Sequence, residues 1–265
     1  MIMFRRIVRL LISSIYYCLI IIFKNDKTNG EVILYHSIFP GDRQKFSCQM
    51  EIVKRLTTPC TFPIGNKKPV DGNYVFVTFD DAFKNFVDNA LPELEKGKIP
   101  ALVFVPVNYM GKTPGWSSWG DESEMNEIVL TSEELRALPD SLITLGAHTL
   151  SHPDLTQIKK DDAKREIFES KKELELYLNT SIGYFAFPYG KYNDDHLSYC
   201  KKAGYSHAFS NSPSGMNGFL IGRIDVSTND WDIEFKLKIM GAYRWLSYWT
   251  QLKGLIRSRF LRIIV

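Results

Sequence analysis

The sequence has no CxxC pair, no repeat of fixed period, no low-complexity tract and no long Gly/Ser linker, and its two ends hold no acidic residue. Each absence excludes something. Four scattered cysteines (Cys18, Cys48, Cys60, Cys200) lack both zinc-knuckle spacing and the density of a disulfide framework. Cys48 and Cys60 would pair only in an oxidising compartment, and unpaired small residues are the plainer reading. Without repeats, solenoids and propellers fall away. Without a linker nothing divides the 265 residues, and 45% hydrophobic with 24% charged residues suffices for one domain with a full core.

The acid-free ends are basic. Residues 1–24 carry Arg5, Arg6, Arg9 and Lys24, and residues 236–265 carry seven basic residues, so the stretch between them balances 22 basic against 30 acidic residues, or −8. An acidic body without an aromatic-basic stripe argues against nucleic acid as a partner. The ends read as membrane contacts. LLISSIYYCLIIIF, from Leu10 to Phe23, is apolar for 14 residues; as a helix it covers about 21 Å against the roughly 30 Å of a hydrocarbon core, so an interfacial segment competes with a span. No small-x-small pattern follows, which disfavours a cleaved signal peptide. The C-terminal LKGLIRSRFLRIIV has the composition of a helix on an anionic surface, and an amphipathic helix packed on the domain is the competing reading for either end. The chain thus divides into a membrane-associating segment (1–24), a domain (31–245) and a basic amphipathic tail (246–265). The expected location is peripheral or monotopic at the cytoplasmic face; if the first segment spans instead, the arginines before it place the domain outside.

Between the ends, seven short β-branched or aromatic runs alternate with helical stretches: Val32 to Tyr35, Tyr74 to Phe79, Ala101 to Val105, Leu142 to Leu145, Tyr184 to Phe187, His207 to Phe209 and Leu220 to Ile224. Helices are expected from Ala82 to Lys96, after the Thr131/Glu134 capping box, along the Ala163, Ile167, Ser170, Leu174, Tyr177 stripe, and from Asn193 to near Gly204. Seven such alternations suit an open or distorted α/β barrel, whose strand C-terminal ends form the functional face. Residues singled out by chemistry fall on that one face: His36 after the first strand, Asp80 and Asp81 after the second, His148 and His152 after the fourth, Pro188 and Tyr189 after the fifth, and Arg223 with Asp225 closing the seventh.

His148 and His152, four apart, would share one side of a single turn, and Asp81 would add a carboxylate from a neighbouring strand end. Pro153 stops a longer helix. Two histidines and an aspartate leave a coordination position open, as a catalytic zinc requires. Taken singly, two histidines at this spacing are more often surface or core residues, and an Asp pair after a strand often caps the next helix. Their convergence on one face is the specific signal.

The strings VTFDD (Val77 to Asp81), HTLSHP (His148 to Pro153) and FAFPYG (Phe185 to Gly190), opened by LYHSI (Leu34 to Ile38) and closed by RIDVSTNDW (Arg223 to Trp231), resemble the polysaccharide deacetylases of the NodB-homology, or carbohydrate esterase 4, family. The resemblance runs from about Val32 to Tyr243 and implies a distorted (β/α)7 barrel. It also implies Asp80 as general base; Asp81, His148 and His152 as ligands of a divalent metal, Zn2+ first; Tyr189 as a backbone donor to an oxyanion; and Pro188, Tyr189 and Trp231 beside the substrate. For Trp231 a core position fits equally well. Two departures stand out. Ala186 occupies the position of the arginine that tethers the base, and Arg223 is expected to reach the same carboxylate from the seventh strand. No histidine lies in FKLKIMGAYRW, where the family places its general acid; His36 replaces it, or Asp80 returns the proton itself, or His36 is structural. The implied activity is removal of acetyl groups from N-acetylhexosamine residues of a polysaccharide or lipid-linked glycan. O-acetyl esterase activity and an inactive glycan-binding homologue are the alternatives, and the oligomeric state stays open.

Overall fold

In the computed structural model, which describes residues 2–23, 28–61, 72–116, 124–213 and 218–249, all seven expected strand runs form strands. The tail from residue 250 onward lies outside the described residues. In chain order the elements are α1 (Ile2–Phe23), β1 (Thr28–Tyr35), α2 (Arg43–Leu56), β2 (Thr58–Pro59), β3 (Gly72–Phe79), α3 (Leu91–Gly97), β4 (Ala101–Val105), α4 (Ser132–Arg136), β5 (Ile143–Ala147), α5 (Lys160–Leu178), β6 (Tyr184–Ala186), α6 (Asp194–Lys202), β7 (His207–Ser210), β8 (Leu220–Gly222), β9 (Ile224–Asp225) and α7 (Asp232–Ile239).

The sheet order is β8-β7-β6-β5-β4-β3-β1-β9, with β2 attached to β3, and every strand pairing is parallel. Only Arg223 separates β8 from β9. The segment Leu220–Asp225 therefore pairs with β7 through its first half and with β1 through its second, and all but closes the ring. Counting it once leaves seven principal strand positions, a distorted (β/α)7 barrel.

The two-residue period of the strands sorts their side chains into two layers. Val32, Phe76, Leu102, Phe104, Tyr184, Ala186, Phe209 and Ile221 fill the interior. Alternate residues such as Ile33, Val75, Val77 and Val103 face outward and join the helices in the larger core. The interior is tight. A β-carbon on Gly146 would stand 2.7 Å from the Phe104 ring, so β5 is thinned to make room for that ring.

Three local expectations are corrected. No helix starts at Ala82: Asp81 and Ala82 both adopt left-handed backbone (φ 67° and 49°), and helix begins only at Lys84. A π-turn over Phe86–Ala90 then precedes α3, consistent with Pro92 lacking the N–H that a continuous α ladder needs. Tyr177 is exposed while Leu178 is buried, so the α5 stripe shifts by one residue at its end. The capping boxes at Thr131/Glu134 and Asn193/His196 form, and Gly204 follows α6 at φ 80°. All four cysteines are free.

At the N-terminus, α1 is longer than its apolar string suggests, 22 residues or about 33 Å. Met3–Phe23 is long and apolar enough to cross a membrane, and only 6% of its most apolar window is buried.

Candidate active site

The C-terminal ends of the strands frame a cavity of about 530 Å³ lined by His36, Asp80, Asp81, His148, His152 and Tyr189, among others. Asp80 and Asp81 leave β3, and the left-handed turn at Asp81 points adjacent carboxylates to different tasks. His148 directly follows β5. The expected single turn between the histidines is instead a bend in which Thr149 (φ 66°) and His152 (φ 56°) are left-handed. Its hydrogen bonds go elsewhere: the Leu150 and Ser151 amides and the Ser151 hydroxyl all donate to the buried Glu166 of α5, at 2.8, 2.9 and 2.6 Å. Glu166 thus ties the histidine loop to the helix layer.

Ligand atoms of Asp81, His148 and His152 lie within 4.8 Å of one another, and all three residues are buried. Asp81 Oδ1 stands 3.3 Å from His152 Nε2 and 3.8 Å from His148 Nε2 and has no hydrogen-bond partner among the described residues. An orphaned buried carboxylate oxygen facing two imidazole nitrogens is costly unless a cation completes it. His148 Nδ1 bonds the Ala186 carbonyl at 2.8 Å, which turns its Nε2 toward the trio. The donor set therefore fits a divalent metal. Burial pushes the Asp81 carboxyl up to about 8, with the Asp80 charge adding and the His36 ring opposing. Burial likewise holds His148 down to about 4 and His152 well below the usual imidazole range, so both rings are neutral and able to ligate.

Asp80 is held quite differently. Burial disfavours its charge, but Arg223 donates to both its oxygens, Nη1 to Oδ1 at 2.6 Å and Nη2 to Oδ2 at 2.8 Å, and draws it down to about 2. The fully buried guanidinium lies 5.2 Å from the Phe104 ring centre and 5.9 Å from that of Phe209. It also donates to Asn211 Oδ1 at 2.9 Å. Position 223 is inward-facing in the closing segment, so the residue that joins the two edges of the barrel also grips the carboxylate of β3. At Ala186, the β6 position opposite, the side chain is a methyl group inside the interior cluster.

His36 lines the same cavity, half-buried. Burial works against its charge, but Asp80, Asp81, Glu124 and Asp225 together raise its pKa. Tyr189, left-handed at φ 58°, follows Pro188 in a kink that sets its ring 5.0 Å from that of His152. Gly190 continues the kink at φ 66°, where a β-carbon would stand 2.6 Å from the Asn211 amide. Trp231 is not among the residues lining this cavity. It lines a separate groove beside Lys45 and Asn229, 39% exposed, with the Arg6 guanidinium 4.3 Å above its ring. The indole stacked in the site belongs instead to Trp116, 4.1 Å and 25° from the His152 ring. Trp116, Glu124, Lys191 and Asn211 also line the cavity, and no motif in the sequence pointed to them.

The fold and site together define a parallel barrel in which a carboxylate and two histidines that could hold a metal ion converge at the C-terminal ends of the strands. The chain belongs to the polysaccharide deacetylase family, whose family model matches residues 67–208. YxkH of Bacillus subtilis, which carries a polysaccharide deacetylase name, is 24% identical over 194 residues, 69% of this chain and 64% of that protein. The poly-beta-1,6-N-acetyl-D-glucosamine N-deacetylase of Staphylococcus aureus is 28% identical over 166 residues, 58% of this chain and 54% of the relative. The matched parts thus span between about half and two thirds of these relatives. Among solved structures, IcaB from Ammonifex degensii superposes with a TM-score of 0.68 at 20% identity, over 82% of this chain and 98% of that one. The Streptococcus pyogenes deacetylase PplD, solved with acetate, gives 0.65 at 22% identity, over 79% and 97%.

Proposed function

We propose that this protein is a metal-dependent hydrolase that removes acetyl groups from N-acetylhexosamine residues of a glycan. The observation that carries the reading is the pairing, in one cavity, of the Asp81–His148–His152 cluster with a neighbouring Asp80 kept ionised by Arg223. The family and the N-deacetylase name of the Staphylococcus aureus relative support the substrate class.

Asp81, His148 and His152 would hold the metal, and two imidazoles with one carboxylate suit Zn2+. Once bound, it would supply Lewis acidity that lowers the pKa of water and polarises the acetyl carbonyl. The protein's own groups do the rest. Asp80, ionised and oriented through both oxygens, accepts the proton of the attacking water. The Tyr189 amide donates to the oxygen on which negative charge develops. His36, raised toward its charged form by the surrounding carboxylates, delivers a proton to the departing nitrogen. Arg223 touches no reacting atom in this scheme and positions the base. The Trp116 ring, stacked on His152, walls one side of the cavity.

Acetate release from N-acetylated oligosaccharides, measured with and without chelator and against O-acetylated sugars, tests the reading. Chelator-sensitive release from the N-acetylated set is expected. Release confined to O-acetylated sugars, or none from metal-loaded protein, overturns it.

A further inference from the structure

Helix α1 is attached to the domain along a single stripe. Arg6 donates from Nε to Glu234 Oε2 at 2.7 Å and from Nη2 to the Asn229 carbonyl at 2.7 Å, and it covers Trp231. One turn on, Leu10 packs against the core; Ser13, fully buried, accepts from Trp245 Nε1 at 2.9 Å; and Tyr17 packs against the core again. Spacings of four, three and four residues place these groups one above another. A second stripe, Ile7, Leu11, Ile15, Cys18 and Ile22, is exposed along its length and turned roughly 130° from the first at 3.6 residues per turn. Arg5 and Arg9, both exposed, lie at one edge of the apolar arc. The exposed Tyr248 and Trp249 follow Trp245 on the domain side.

A span would carry α1 away from the domain and across the hydrocarbon core, whereas here one stripe of α1, at Arg6, Leu10, Ser13 and Tyr17, is packed on the domain while the opposite apolar arc is exposed. We propose that α1 is an in-plane membrane platform: the domain stays docked on the Arg6–Ser13 stripe while the apolar arc sinks into the interfacial layer of an anionic bilayer. Arg5 and Arg9 then meet lipid phosphates, and Tyr248 and Trp249 sit at headgroup level, where amphipathic aromatics concentrate. Arg6 of α1 touches the β9–α7 loop at the mouth of the barrel, and Ser13, two turns on, meets Trp245, whose neighbour Arg244 donates to the Gly30 carbonyl near the start of β1, toward the other end. The helix therefore lies along the barrel wall, and the mouth opens sideways over the membrane surface. Its consequence, access to glycans lying on or linked to that surface, rests on the proposed activity; the platform does not.

The test uses the full chain bound to phosphatidylcholine/phosphatidylglycerol vesicles. Cys48 and Cys60 are replaced by serine, the buried Cys200 is left, and a spin label is placed at native Cys18. In three further variants Cys18→Ser is combined with Ile7→Cys, Leu11→Cys or Ile22→Cys. Collision with oxygen against a water-soluble nickel complex reads the depth at each position. All four labels are expected at one shallow depth, about 5–10 Å below the phosphates, with binding lost in Leu11→Lys and weakened on neutral vesicles. A profile deepest in mid-helix and shallow at both ends means a span and overturns the proposal. Four labels that never meet lipid, or that are shielded by a second copy of the chain, overturn it as well. Acetate release is not a readout, so the platform and the activity fail separately.

Discussion

Asp80 and Asp81 are neighbours in sequence and opposites in ionisation. Both are buried, and burial raises both carboxyls; only Asp80 receives a guanidinium on both oxygens, so it falls to about 2 while Asp81 rises to about 8. At pH 7 the metal-free cluster therefore keeps a proton on Asp81 and none on His148 or His152. A divalent cation must expel that proton, so metal affinity should rise about tenfold per pH unit up to about pH 8 and then level off. Calorimetric titration in buffers of different ionisation enthalpy should show close to one proton released at pH 7; release of about half a proton, with affinity levelling off by about pH 7.5, would mean ordinary ligand pKa values. The pair Asp80–Arg223 makes a second prediction. Breaking a buried ion pair from one side costs about 3–5 kcal/mol because the remaining charge is uncompensated. Arg223→Met should therefore lose that much in denaturant unfolding, and Arg223→Lys, which keeps the charge without the two-pronged fork, should recover part of the stability but little of the acetate release.

At the scale of elements, the histidine loop depends on a helix it does not belong to. In Glu166→Ala the Leu150 and Ser151 amides and the Ser151 hydroxyl lose their common acceptor. Metal affinity should drop about 10–100-fold, the range for groups that orient ligands, while far-UV circular dichroism stays unchanged because α5 remains packed through Ala163, Ile167 and Leu174. Unchanged metal affinity would sink this role. Here the limit of sequence reading is plain. Strand positions and the face they share were legible, because apolar alternation and flanking turn residues report them locally. The left-handed backbone at Asp81, Ala82, Thr149 and His152 was not, since ordinary side chains occupy a conformation that usually announces itself through glycine. Trp116 was not either: it meets His152 from within the long connection between β4 and α4 and carries no motif. Trp231 was legible as an aromatic near the mouth but not as one held by Arg6 from α1, a contact 225 residues away in sequence.

Across the whole molecule, closure of the barrel is uneven. β1 and β3 pair over eight residues, whereas β5 meets β6 at the single pair Ala147–Phe185, and β9 holds β1 through Ile33–Ile224 and Leu34–Asp225 alone. Local opening follows thin pairing, so the closing segment Leu220–Asp225, like the β5–β6 junction, should exchange its amide hydrogens faster than the paired lengths of β1 and β3. Beside its backbone pairing, one side chain fastens that segment from inside the barrel: Arg223 ties the seam to Asp80 at the end of β3 and to Asn211 just past β7. The resemblance of the strings around β3 and β5 implied the metal ligands and the base, and Arg223 was expected as a tether, yet nothing local in the sequence showed that the tether is also the seam. The two roles predict one pattern. In Arg223→Lys, amide exchange should accelerate selectively in Leu220–Asp225 and in the adjoining end of β1, with β4 and β5 unchanged. Uniform acceleration across all strands would mean a general loss of stability and no special place for Arg223 in closure. Acceleration confined to the seam, together with reduced acetate release, would show that the barrel is fastened at the carboxylate its chemistry requires.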